Sequence, residues 1–273
     1  LSLAIALAAC GFQGTDNDKE AKPQAERQAE PVVERGGYDD PREASRAEAK
    51  LVDGKVELKL PDGVTQEMLG DRTGTMLAVQ VMLDHTAHAP GVIDGFGGGN
   101  TDSAIRYYRE ANGLSADGGV DAEFLEALFD GTGGDVFRTY TVTEKDAKGP
   151  FEKLPEDFAD QARVDAMGYE TPAEMLAERF HMDQGFLEAL NPDADFGKAG
   201  TKLVIVSHGN EKVPGDIARI EVRKGEGRLI AFDDAGDMVA SFPASIGSVE
   251  FPRQDGRSVG LLRILALRQQ SLL

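Results

Sequence analysis

Few side chains in this sequence can make or break a covalent bond. Its 273 residues hold one cysteine, Cys10, and four histidines. A thiolate nucleophile could come only from Cys10, and no intramolecular disulfide is possible. Ser207-His208-Gly209-Asn210 sets a hydroxyl beside an imidazole. Asn210, however, has no acidic proton to lose and cannot form an acyl-enzyme, and no serine has a histidine partner that the sequence identifies. The segment reads as an interdomain loop. His181 falls in the turn between two helical patterns, with no second histidine or carboxylate cluster near it in sequence, the setting of a cap or surface residue. No catalytic residue, metal site or cofactor is expected.

Binding chemistry is better represented. Tyr107 and Tyr108 are adjacent, so one is expected to face the core and the other solvent. An exposed tyrosine near Arg106 and Asn112 could stack on a sugar ring and bond its hydroxyls. Asp94, Asp117 and Asp121 sit in Asp-Gly or helix-start contexts, where carboxylates accept backbone N–H groups. Asp94, Tyr107, Tyr108 and Asn112 are the candidate ligand contacts.

Composition narrows the partners. The chain carries 29 Lys plus Arg against 48 Asp plus Glu, a formal net charge of −19. Nucleic acid is excluded, because phosphate binding needs a basic surface, and electrostatic attachment to anionic lipid is disfavoured. Hydrophobic residues make up 41% of the sequence, enough for real cores but not for many membrane spans.

The elements that must position these groups follow from pattern. Leu1 to Ala9 is an apolar stretch of signal-peptide type, too short to span a bilayer. Residues 11–74 are polar and low in large apolar side chains, which predicts a flexible linker, with a short strand around Val56, Leu58 and Leu60. Helices are expected over MLAVQVMLDH, over TDSAIRYYREANG with Thr101 as cap, and over DAEFLEALFDG. RTYTVTEKD reads as a strand, and Thr171-Pro172 opens the first of two helices. GTKLVIV closes as a strand. From Ile217, alternation around two turns predicts a three-stranded meander. The fold class is multidomain α+β.

Four resemblances attach to these segments. Leu7-Ala8-Ala9-Cys10 resembles the lipobox of bacterial lipoproteins, which implies acylation of Cys10 and, with Gly11 following, a periplasmic chain anchored in outer-membrane lipid. Gly91-Val92-Ile93-Asp94-Gly95-Phe96-Gly97, Asn112-Gly113-Leu114 and Asp117-Gly118 resemble the three-helix peptidoglycan-binding domain of cell-wall enzymes, over 75–131. Here an extra glycine stretch, Gly97 to Gly99, lengthens the loop. Residues 138–208, with Leu190-Asn191-Pro192, resemble a LysM-like β-α-α-β module. Arg228-Leu229 and Phe242-Pro243-Ala244-Ser245-Ile246-Gly247 resemble the first strands of a YkuD-type L,D-transpeptidase domain, over 216–252.

That last family uses Ser-His-Gly-Cys well after these strands, with the cysteine as nucleophile. The SHGN of this chain precedes them and lacks the thiol. Residues 253–273 do not continue the family pattern and read as an aberrant C-terminus. The resemblance thus implies a truncated L,D-transpeptidase-family lipoprotein, without the catalytic Cys and His, that binds peptidoglycan. The alternative is a non-catalytic lipoprotein tethering the outer membrane to the wall.

Overall fold

The computed structural model describes residues 47–155, 157, 168–209 and 213–245. Cys10, the greater part of the expected linker and the expected aberrant C-terminus lie outside them. The linker does not run to residue 74. Strands β1 (Ala47–Val52) and β2 (Lys55–Leu58) form a hairpin. Its turn, Asp53-Gly54, takes left-handed backbone at both residues (φ 49° and 72°), the geometry that matches the twist of paired strands. Leu51, Val56 and Leu58 then rest on the main core. A short helix, α1 (Gln66–Leu69), follows.

Helix α2 (Gly74–Asp84) is the central post. Every residue from Leu77 to Asp84 is buried, as expected of a helix apolar on all sides. It packs against β2, α3 (Gly99–Ala111), α4 (Ala122–Thr132) and the strand β3 (Asp135–Thr141). Thr101 does not cap α3. The helix begins two residues earlier, after Gly98, and the Thr101 hydroxyl is turned inward to accept a bond from Gln80. Asp121 caps α4 by accepting from Phe124 N at 2.9 Å.

The chain then runs through α5 (Glu144–Lys148), α6 (Pro172–Arg179), α7 (Gln184–Leu190) and β4 (Lys202–Val206). Thr171 caps α6 with Pro172 in its first turn. Glu174 accepts from the N–H of Glu170 at 2.7 Å. Asn191 pairs both ways with Val204, Nδ2 donating to its carbonyl and Oδ1 accepting from its N–H. That amide stands in for a strand neighbour and fastens the end of α7 to β4. The two expected helices are α6 and α7, with β3 and β4 antiparallel neighbours, and α5 is a further helix where none was expected.

The helical unit over 75–131 and the segment over 138–208 are not packed separately. One antiparallel sheet, in the order β2-β1-β3-β4, serves both. Leu77, Val81, Phe137, Tyr140, Leu176 and Phe186 belong to a single core. A helical unit of about 55 residues buries little surface by itself, and the shared sheet supplies the missing face.

The expected meander is observed as β5 (Arg219–Arg223), β6 (Arg228–Phe232) and β7 (Met238–Pro243), in that order. Left-handed Gly227 and Gly236 close its two turns. Leu229, Ala231, Ala240 and Phe242 form a second core with Ala89, and β7 packs on α3. The described residues thus form an α+β fold of seven α-helices and two antiparallel sheets.

Candidate functional site

Gln80 organises the loop between α2 and α3. It is buried in α2, and its Nε2 donates to Asp94 Oδ1 (2.8 Å), Phe96 O (2.9 Å) and Thr101 Oγ1 (3.2 Å). Its Oε1 accepts from Gly95 N at 2.6 Å. One side chain therefore fixes both ends of the loop, a polar network in which every group has a partner. Arg72 braces it from outside, donating from Nε to Asp94 O at 2.5 Å with its guanidinium 4.7 Å from the Phe96 ring. Gly95 is required there, since it has φ 77° and a Cβ would meet the Arg72 side chain at 2.8 Å.

The loop surrounds a shallow cavity of about 210 Å³, lined in part by Val92, Phe96, Gly97 to Gly99 and Asn100. Val92 and Phe96 are 46% and 42% exposed at its rim. The cavity thus offers an aromatic ring, an amide and a run of bare glycine backbone to whatever lies in it.

The structure separates the four candidate residues. Asp94 is at the cavity, but its carboxylate is engaged, accepting from Gln80 and from Phe96 N at 2.9 Å, the turn-forming role expected from sequence. Neither tyrosine faces solvent, a correction to the expectation that one would. Tyr107 is buried where the meander docks, donating to Glu226 at 2.5 Å and accepting from Arg223 at 2.8 Å. Burial and the bond to Glu226 raise its pKa despite the nearby arginines. Tyr108 is buried edge-on to Phe124 and donates to Ala127 O at 3.0 Å. Exposed Asn112 caps the far end of α3, about 20 Å of helix away from the cavity.

A second cluster was not legible in the sequence. His181, expected to stand alone, lies with Nδ1 2.8 Å from Asp84 Oδ2. Asp84 also accepts from Gly209 N at 2.6 Å, and the His208 ring is 5.1 Å from that of His181. The Ser207-His208-Gly209 segment does link β4 to β5, but it is buried against the end of α2. A Cβ on Gly209 would stand 1.9 Å from the Asp84 carbonyl oxygen, so only glycine permits this approach. Burial, with His181 beside it, pushes the His208 pKa down to about 4. The Ser207 hydroxyl is buried with no hydrogen-bond partner among the described residues, so it is not activated by either imidazole. The cavity loop and this cluster are adjacent, because Ile93 N donates to His181 O (2.7 Å) and Asp183 N to Ile93 O (3.0 Å).

Residues 73–128 match the family model of the peptidoglycan binding domain. The match runs from Thr73, the cap of α2, into α4 and contains the whole cavity loop. No curated protein matches the chain. This chain therefore carries a peptidoglycan-binding domain, and peptidoglycan is the partner that domain implies.

Proposed function

We propose that the chain holds itself on the bacterial cell wall by seating glycan or stem-peptide groups of peptidoglycan in the cavity between α2 and α3. The family match over 73–128 carries this reading. The cavity supports it chemically: Phe96 can lie against the apolar face of a sugar, while Asn100 and the glycine backbone can bond its polar groups. With a net charge of −19, attraction to an anionic polymer comes from such short-range contacts and not from the protein's overall field.

The finer reading rests on resemblance. The meander's motif, Phe242 to Gly247, supports an L,D-transpeptidase lineage, and the helix pair α6-α7 between the paired strands β3 and β4 supports a LysM-like unit beside the wall-binding helices. The only thiol is Cys10, which the lipobox reading assigns to acylation. Wall binding, not acyl transfer, is accordingly the activity assigned to these residues. Cys10 would anchor the chain in outer-membrane lipid on the periplasmic side, and the tethering role follows if both ends engage.

The test is retention of the full chain on purified sacculi at moderate salt. Retention is expected, and Phe96→Ala and Asn100→Ala should each lower it about tenfold, the loss of roughly 1.4 kcal/mol. A chain that stays in the supernatant would overturn the reading. The lipid anchor has its own test: Cys10→Ser should move the chain from the membrane to the soluble fraction.

A further inference from the structure

Asp84, His181 and His208 are distant in sequence and meet at one point. Asp84 ends α2, His181 turns the corner between α6 and α7, and His208 follows β4. Ligand-capable atoms of the three lie within 4.8 Å of one another. We propose that these three side chains form a binding site for a divalent transition-metal ion, with zinc the best fit.

Two imidazoles and a carboxylate are a common protein donor set for zinc, with a further position left to water or another group. Magnesium and calcium prefer oxygen throughout, so a site with two nitrogen donors disfavours them. The contacts around the three residues orient them as ligands. The Gly209 N–H holds Asp84 Oδ2 at 2.6 Å. His208 Nδ1 faces the Gly209 carbonyl at 3.1 Å. That bond places the proton on Nδ1, so Nε2 is the nitrogen His208 would turn to an ion. His181 shares a proton with Asp84 through Nδ1. A bound ion would take that proton's place between them, with the imidazole proton carried on Nε2 instead.

His181 has φ 59°, the left-handed position just past the end of α6, where Met182 N donates to Ala177 O at 2.8 Å. Its carbonyl accepts from Ile93 N, and Asp183 N donates to Ile93 O. The ion would therefore tie α2, the α6–α7 corner and the segment after β4 together, one residue from the Asp94 end of the cavity loop. This inference does not depend on wall binding.

The experiment uses the full chain, without affinity-tag histidines and stripped with EDTA. It is titrated with Zn²⁺ alone by calorimetry and with Co²⁺ alone by visible absorption. One equivalent of zinc should bind, and cobalt should give the strong d–d bands of a four- or five-coordinate site. Asp84→Asn, His208→Gln and His181→Asn (asparagine tolerates the left-handed backbone) should each weaken zinc binding by at least the ~100-fold that loss of an outer-sphere partner alone can cost. Absence of saturable uptake would overturn the proposal. So would uptake unchanged in all three variants, which would place the ion on surface carboxylates or Cys10. If a variant does not fold, the cobalt spectrum of the unaltered chain decides, and a weak six-coordinate spectrum overturns the site.

Discussion

Gly209 shows how much a single hydrogen atom in place of a side chain can decide. Its N–H reaches Asp84 because nothing stands between the backbones of the β4–β5 link and the end of α2. Gly209→Ala would force them apart. The expected loss is about 1–3 kcal/mol, the usual cost of overpacking a closed interior, read as a lower midpoint in denaturant at unchanged m-value. An unchanged midpoint would mean that the contact is not made. Gln80, one turn earlier on the same face of α2, holds the neighbouring loop. In the sequence it is a polar residue inside an apolar helix. What it bonds depends on a loop that returns to it from residues 94–101.

At the scale of elements, the hairpin changes the reading most. Its polar, charged neighbourhood led composition to predict a linker, yet β1 and β2 carry alternate apolar residues that close the core over α2. Removing residues 47–58 should cost roughly 3–5 kcal/mol, from three half-buried aliphatic side chains and lost strand pairing. It should also open the edge of β3 that β1 covers, and an open edge pairs with other chains. The shortened chain is expected to self-associate in sedimentation while the intact chain does not. A monomeric, equally stable product would show that the hairpin is dispensable.

Across the whole molecule, the meander is fastened to the helices through buried polar groups. Arg228 is fully buried, with Nη2 donating to Ala89 O at 2.8 Å and to Ser241 Oγ at 3.0 Å. Burial lowers its pKa to about 10, so it stays charged at neutral pH. His88 lies in the same interface, facing Ser241, the edge of Tyr108 and the Arg228 charge. Burial first, and then Arg228, lowers its pKa from 6.5 to about 4. Between those values the unfolded chain binds more protons than the folded one, so stability is full above pH 6.5, falls as pH drops and levels off below about 4. The loss is about 3 kcal/mol. His208, also lowered to about 4, acts in the same direction, so His88→Gln should remove roughly half of this limb in melts run from pH 7 to pH 4. An unaltered slope would place the acid sensitivity elsewhere.

Local rules made much of this molecule legible. The caps at Thr171 and Asp121, the left-handed glycines of the meander turns and the Asp94 turn each depend on neighbours within a few residues. The sequence motifs over 91–121 carried the wall-binding family, which the match over 73–128 supports. Tertiary structure alone decided what required distant partners. The burial of both tyrosines comes from the meander docking on α3 and from Phe124 of α4. The fusion of two expected modules into one core comes from a sheet whose strands begin at residue 47 and end at 206. The meeting of Asp84, His181 and His208 depends on the same shared sheet and on the close approach that Gly209 allows. Sequence spacing reports contacts along one helix or strand, and none of these three lies within a single element.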